Sequence, residues 1–295
     1  MNIISTRPGA ATSIRTRCRT ATAVVVLAIG VAACSGDGGS AVPPSEIGHV
    51  HDLIIDEGTL LVATHRGLLR LDDGAYRRVG DEVHDLMAMT RDVGGDIVAS
   101  GHPDLRLEQY RVDGAPSFLG LARSSDEGES WEIVGLLGEA DFHAIILTEA
   151  GLLAGDSTGT IWRFDSDGDG QPVGSIPFDI NDLAVSPGDA AAVVATSYDG
   201  DVAVSDDAGQ TWEIEGGAPP IVEIEWTDEG VLGASADGEL WAASSPSDPF
   251  EQIGAAPGEV DTLLVNGDGV WAATHDGQIY RQEIDSWTPL VRSDD

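Results

Sequence analysis

The sequence predicts an all-β protein, a six-bladed β-propeller over residues 49–295. Three observations carry that expectation. Strand-like openings recur at "VHDLII" (50), "VHDLMA" (83), "FHAIIL" (142), "INDLAV" (180), "VEIEWT" (222) and "VDTLLV" (260). Two further apolar runs follow each opening, and in five units a fourth run carries one aromatic near its start: Tyr76, Trp131, Trp212, Phe250 or Trp287. Helical periodicity is nearly absent, so each unit reads as four short strands, which is the make-up of a propeller blade.

The second runs are "LLVATHRG", "DIVASGHP", "LLAGDSTG", "VVATSYDG", "VLGASADG" and "VWAATHDG", and the third include "LLRLDD", "TIWRFDSD" and "QIYRQE". The openings are spaced by 33, 59, 38, 42 and 38 residues. The long second unit holds an insertion, "HPDLRLEQYRVDGAPSF" (102–118), between its second and third strands. That insertion is expected to act as a partial lid; if it hides two strands, the alternative is seven blades.

Two turns between third and fourth strands share a pattern. Ser124, Asp126, Gly128, Ser130 and Trp131 recur as Ser205, Asp207, Gly209, Thr211 and Trp212. An Asp there accepts backbone N–H bonds across a tight turn, Gly supplies a positive φ, and Trp packs between sheets. Both stretches resemble the Asp-box, or BNR repeat, of sialidase-like propellers. With "HVHDL", "ATHRGL", "SGHPD" and "LLGEADFHA", the chain resembles the lipoproteins grouped as exo-alpha-sialidase or BNR-repeat glycosyl hydrolases. The resemblance spans essentially all of 34–295 and implies the propeller fold. Asp-boxes are turn devices, so the activity has to be read from the site instead.

Residues 1–33 read as a lipoprotein signal peptide. Arg7, Arg15, Arg17 and Arg19 precede the apolar run "AVVVLAIGVAA", which has the length of a signal-peptide core and is too short to span a bilayer. It ends in "VAAC", which resembles the bacterial lipobox and implies cleavage before Cys34, with lipid on its sulfur. Residues 34–48 then read as the lipidated cysteine and a flexible tether. The expected place is the outer face of the cell membrane, reached through the lipid anchor only.

Cleavage removes Cys18 and leaves no cysteine pair for a disulfide, so packing must stabilise the domain. It also leaves eleven arginines, no lysine and 51 acids, a net charge of −40. Such a field repels nucleic acid and enriches cations near the surface. A monomer is expected.

The seven histidines sort onto one face when the six units are aligned by their openings. The second residue of each first strand is His51, His84, His143, Asn181, Glu223 or Asp261, a ring at one channel mouth. His49, His65, His102 and His275 form an outer layer. For a single histidine, hydrogen bonding between blades is the ordinary explanation. For the set, histidines with Glu223 and Asp261 are donors that borderline divalent metals select, zinc or copper rather than a thiolate-bound ion. Asp52 and Asp85 are placed to orient the imidazoles. Met87 and Met89 alternate on an apolar strand and read as core.

The expected function is therefore a lipid-anchored extracytoplasmic propeller binding a metal ion or small ligand at a histidine-ringed mouth. A sialidase-like glycoside hydrolase is the first alternative, with Glu223, Asp261 and Tyr110 as its candidate catalytic residues. Against it, only Arg66, Arg106 and Arg111 are expected near the mouth. A scaffold for another envelope protein is the second alternative. "FDSDGDG" places Asp165, Asp167 and Asp169 like the opening of an EF-hand loop for calcium, but the twelfth position is Ile176 instead of Glu, so a decorated turn is the better reading.

Overall fold

The computed structural model describes residues 41–295 apart from 57, 167, 285 and 292–295. The expected signal peptide, Cys34 and the tether up to residue 40 lie outside the described residues. So do Asp167 of the calcium motif and Arg292.

Six antiparallel sheets follow one another along the chain, each built from consecutive strands. Their innermost strands are Val50–Asp56, Asp85–Arg91, Phe142–Thr148, Ile180–Ser186, Glu223–Thr227 and Val260–Asn266. Each lies beside the innermost strand of the next blade, and the last lies beside the first, so the ring closes with six blades. Past His102, which ends the strand Ile97–His102, the insertion in blade 2 holds no strand, only the 3-10 turn Glu108–Tyr110, which removes the seven-bladed alternative.

Burial follows from the stacking. A second strand is covered by neighbouring blades on both faces, so it reads as a continuous apolar run instead of alternating. Thr59–Thr64 and Gly151–Asp156 are buried along nearly their whole length. Outer strands have one neighbour and turn polar, as in Glu251–Ala255, exposed along its whole length. Apolar clusters fill the space between successive blades; Leu61, Leu86 and Ile97 join blades 1 and 2, and Val50, Trp271 and Ile279 join blades 6 and 1.

The second half of the expected tether is folded. Ala41–Val42 pairs with Arg77 and Tyr76 on the outer strand of blade 1. Pro44–Ile47 forms one helical turn whose Ile47 is fully buried at the closure between blades 6 and 1. An isoleucine in a polar stretch was the signal that packing continues upstream of residue 49.

The two Ser-x-Asp turns form as their residue types require. Asp126 accepts the Ser130 N–H at 2.9 Å, and the Ser124 hydroxyl accepts the Gly128 N–H at 2.8 Å. Asp207 and Ser205 repeat this with Thr211 and Gly209, at 2.8 and 2.9 Å. Gly128 and Gly209 have φ of 89° and 86°, which a side chain would oppose.

Candidate metal centre at the channel mouth

The residues facing the axis are placed there by β-bulges. A bulge inserts one extra residue that the ladder leaves unpaired, re-aiming its side chain. Five inner strands carry one at the same register, and the extra residues are His51, Met87, His143, Asn181 and Asp261. Blade 5 pairs regularly, with Glu223 opening its strand. All six line one central cavity of about 440 Å³.

The same register brings two further sets of side chains to the mouth. Just before the first of the pairs flanking each bulge stand His49, Asp85 and Asp141, and just after their partners on the second strands stand His65, His102, Tyr198 and His275. Carboxylates and imidazoles then alternate in contact. His275 Nδ1 lies 3.2 Å and His49 Nε2 2.8 Å from Asp261 Oδ1. Asp85 stands between His65 (Nδ1 to Oδ1, 2.8 Å) and His102 (Nδ1 to Oδ2, 3.3 Å). Asp141 Oδ2 stands between His102 and His143, whose Nε2 atoms lie 3.5 and 3.2 Å away. Tyr198 Oη ends the series 3.0 Å from His143 Nδ1.

Three ligand-type atoms converge most tightly at blades 1 and 2. His51 Nε2 is 3.1 Å from His65 Nδ1 and 3.5 Å from Asp85 Oδ1, while His65 Nδ1 is 2.8 Å from that same oxygen. A tetrahedral zinc ion with bonds of about 2.0–2.1 Å holds its donor atoms about 3.3 Å apart. Two imidazole nitrogens and a carboxylate oxygen meeting here share few protons, whereas one cation satisfies all three lone pairs. His49 belongs to the same group: ligand atoms of His49, His51 and His65 lie within 4.8 Å of one another, as do those of His49, Asp261 and His275. This histidine cluster can hold a metal ion.

Burial and hydrogen bonding shift the titratable groups at the mouth. Burial pushes the His51 imidazole below its ordinary pKa, against the hydrogen bond it donates to Asp85, which favours the neutral form. Burial works against the Asp85 carboxylate, yet hydrogen bonds from His102, His51 and His65 hold it far below the usual range. His102, between Asp141 and Asp85, is pushed up to about 10, and Asp141 is held at about 2 despite its burial.

Deeper in the channel four acids bridge blades. Asp52 accepts the N–H groups of Leu53 and Met89, each at 2.7 Å, and Asp182 those of Leu183 and Ile224 at 2.7 and 2.8 Å. Glu225 accepts from Val265 at 3.0 Å. Burial raises Asp52 and Asp182 to about 7 and Glu225 to about 8; it raises Glu223 as well, with Asp182 adding to the effect. Asp52 thus ties blade 1 to blade 2 and orients no imidazole.

His84 is not in the ring. It is 1% exposed and away from the cavity, its Nε2 2.9 Å from Glu82 and its Nδ1 accepting the Asp104 N–H at 2.9 Å. Its ring packs edge-on against Tyr110 at 4.7 Å. With both nitrogens engaged it is a structural histidine. Met87 takes the ring position expected of His84, so it lines the cavity instead of the core expected for it, while Met89 is buried between blades 1 and 2 as expected.

The insertion packs beside the rim, with Phe118 6.3 Å from the ring of His102. Residues 103–118 line no part of the central cavity and fold against blade 2, with the Tyr110 hydroxyl 2.8 Å from Glu82 and 3.2 Å from the Trp131 carbonyl. Tyr110 is therefore apart from Glu223 and Asp261, which do line the cavity. Among the described arginines only Arg91 lines it, and Glu127 holds its guanidinium in two hydrogen bonds at 3.0 and 2.7 Å. Arg106 is held by Asp104 at 2.5 Å. At the calcium motif, Asp165 accepts the Asp169 N–H at 3.0 Å, a turn contact.

Compared with known proteins, the sequence matches no protein-family model and no curated protein. Solved structures are similar in fold. A putative gluconolactonase aligns with TM-score 0.62 at 14% identity, covering 87% of this chain and 95% of that one. A catalytically inactive virginiamycin B lyase from Staphylococcus aureus, solved with quinupristin, aligns with TM-score 0.57 at 10% identity, covering 85% and 86%. The WD40 propeller domain of Doa1 aligns with TM-score 0.59 at 11% identity, covering 85% and 84%. At such identities the likeness shows the propeller fold and no more. What the fold and site define together is a six-bladed β-propeller with a histidine-rich cluster at its mouth.

Proposed function

We propose that the protein binds a divalent transition-metal ion, zinc or copper, through His49, His51 and His65 with Asp85, at the outer face of the cell membrane. One observation carries the reading: His51 Nε2, His65 Nδ1 and Asp85 Oδ1 converge within 3.5 Å of one another. The donors are imidazole and carboxylate without sulfur, which suits these metals. The acidic chain, at −36 overall, raises the local concentration of cations around the mouth. Elemental analysis of protein purified without a histidine tag tests the reading. Zinc or copper at one or more equivalents per chain supports it; protein that stays metal-free after incubation with both salts and dialysis contradicts it.

The location rests on the lipobox-like "VAAC" and the apolar run before it. Cys34→Ala is expected to remove the lipid mass and release the protein from the membrane fraction. Unchanged fractionation and mass would contradict the anchor and leave the metal reading standing.

A further inference from the structure

We infer that the rim carries a second metal site, formed by His102, Asp141 and His143 and joined to the first through Asp85. The inference extends the metal-binding reading of the mouth, and its donors do not overlap with His49, His51 and His65.

The spacing of each imidazole from Asp141 suits a pair of metal donors. Asp141 Oδ2 lies 3.2 Å from His143 Nε2 and 3.5 Å from His102 Nε2, bracketing the separation of about 3.3 Å that a tetrahedral ion imposes. Asp141 is 5% exposed, and its second oxygen, Oδ1, is buried without a hydrogen-bond partner. A buried carboxylate oxygen left without a donor is costly, and a cation bound in bidentate fashion removes that cost.

The far side of each imidazole points the same way. A metal-ligating histidine almost always donates its other N–H to a carboxylate or another acceptor, which fixes its ring and tautomer. His102 has Asp85 Oδ2 at 3.3 Å from Nδ1. His143 has Tyr198 Oη at 3.0 Å from Nδ1. Both Nε2 atoms are thereby turned toward Asp141. His84 shows the contrast: its Nδ1 accepts a backbone N–H and its Nε2 meets Glu82, which leaves no lone pair for a metal.

Asp85 links the sites, since Oδ1 faces His51 and His65 while Oδ2 holds His102. An ion at the first site therefore orients a ligand of the second.

Zinc titration followed by elemental analysis of three proteins tests the inference: wild type, His51→Ala/His65→Ala, and His102→Ala/His143→Ala. The expected result is two zinc ions per wild-type chain and one for each double variant, with the melting profile showing each folded. The conservative Asp141→Asn should also bind one. Wild type binding a single ion, lost only in His51→Ala/His65→Ala, overturns the second site and leaves the first intact. One ion lost only in His102→Ala/His143→Ala overturns the first site instead. A wild type that binds none overturns both.

Discussion

His51 Nε2 lies 3.1 Å from His65 Nδ1, and both nitrogens face the same oxygen of Asp85. His51 is the extra residue of a bulge in blade 1, His65 follows the strand that pairs with it, and Asp85 comes from the next blade. Segments of two successive blades meet because a propeller repeats the same register around an axis.

Asp85→Asn tests the linking role of that carboxylate. Asn keeps one acceptor but loses the charge and its grip on His51, His65 and His102. Zinc affinity should fall by about 10–100-fold at both sites, as when an orienting partner of a ligand is removed. Competition with a chelator of known affinity reads this directly, and an unchanged affinity would remove Asp85 from the account.

His84→Ala should do the opposite of a ligand mutation. It leaves the buried Asp104 N–H without its acceptor and the Glu82 carboxylate with the Tyr110 hydroxyl as its remaining donor, which should cost about 1–3 kcal/mol of folding stability. Zinc binding should be unchanged. Urea denaturation and zinc titration on the same preparation separate the two effects.

The repeated string "VHDL" at 50 and 83 shows where sequence alignment worked and where it failed. The blade count, strand order and ring members His51, His143, Asn181, Glu223 and Asp261 follow from the spacing of apolar runs. Blade 2 misleads, because its bulge falls at Met87 and the register is three residues further on than the matching letters suggest. Identical residues then serve different ends: His51 faces the axis, His84 the core beside the insertion. Asp85, read only as an orienting residue, joins the cluster itself. Asp141 and Tyr198 were missed because neither repeats as a histidine, although Asp141 stands just before its strand as His49 and Asp85 do before theirs. Bulges depend on pairing between strands, which no single stretch of sequence displays.

Stability of the metal-free protein should fall as pH rises from about 4 to 10, the carboxyls acting over the lower part of that range and His102 over the upper. Asp52 and Asp182 at about 7 and Glu225 at about 8 lie above their unfolded values of 3.8 and 4.5. A raised carboxyl favours the folded state while protonated, fully so below its unfolded pKa, and that contribution is lost as pH passes the folded value. His102, raised to about 10 from 6.5, loses its contribution over 6.5–10 in the same direction. Glu225→Gln keeps the acceptor for the Val265 N–H and removes the titration. Its urea midpoint should exceed that of wild type at pH 9 and approach it at pH 4; equal midpoints at pH 9 would contradict the account.

Asp126→Ala serves as a distant control. It removes the acceptor for the Ser130 N–H and hydroxyl and for the Ser124 hydroxyl, so the melting temperature should drop. The turn lies between the third and fourth strands of blade 2, outside the residues that line the cavity, so zinc affinity should stay as in wild type. A variant that also loses zinc affinity would mean that binding reports overall folding.

The most direct test of the metal-binding mouth is the zinc affinity of tag-free protein measured by chelator competition from pH 7.5 to pH 5, with His51→Ala/His65→Ala alongside. Each ligating imidazole must be deprotonated, so wild-type affinity should fall toward pH 5 as protons compete with zinc for the same nitrogens. The double variant should lose the tightest site at every pH while keeping the wild-type melting profile. A double variant that binds zinc as tightly as wild type, with the same pH dependence, would reduce His51 and His65 to hydrogen bonding between blades and contradict the metal centre.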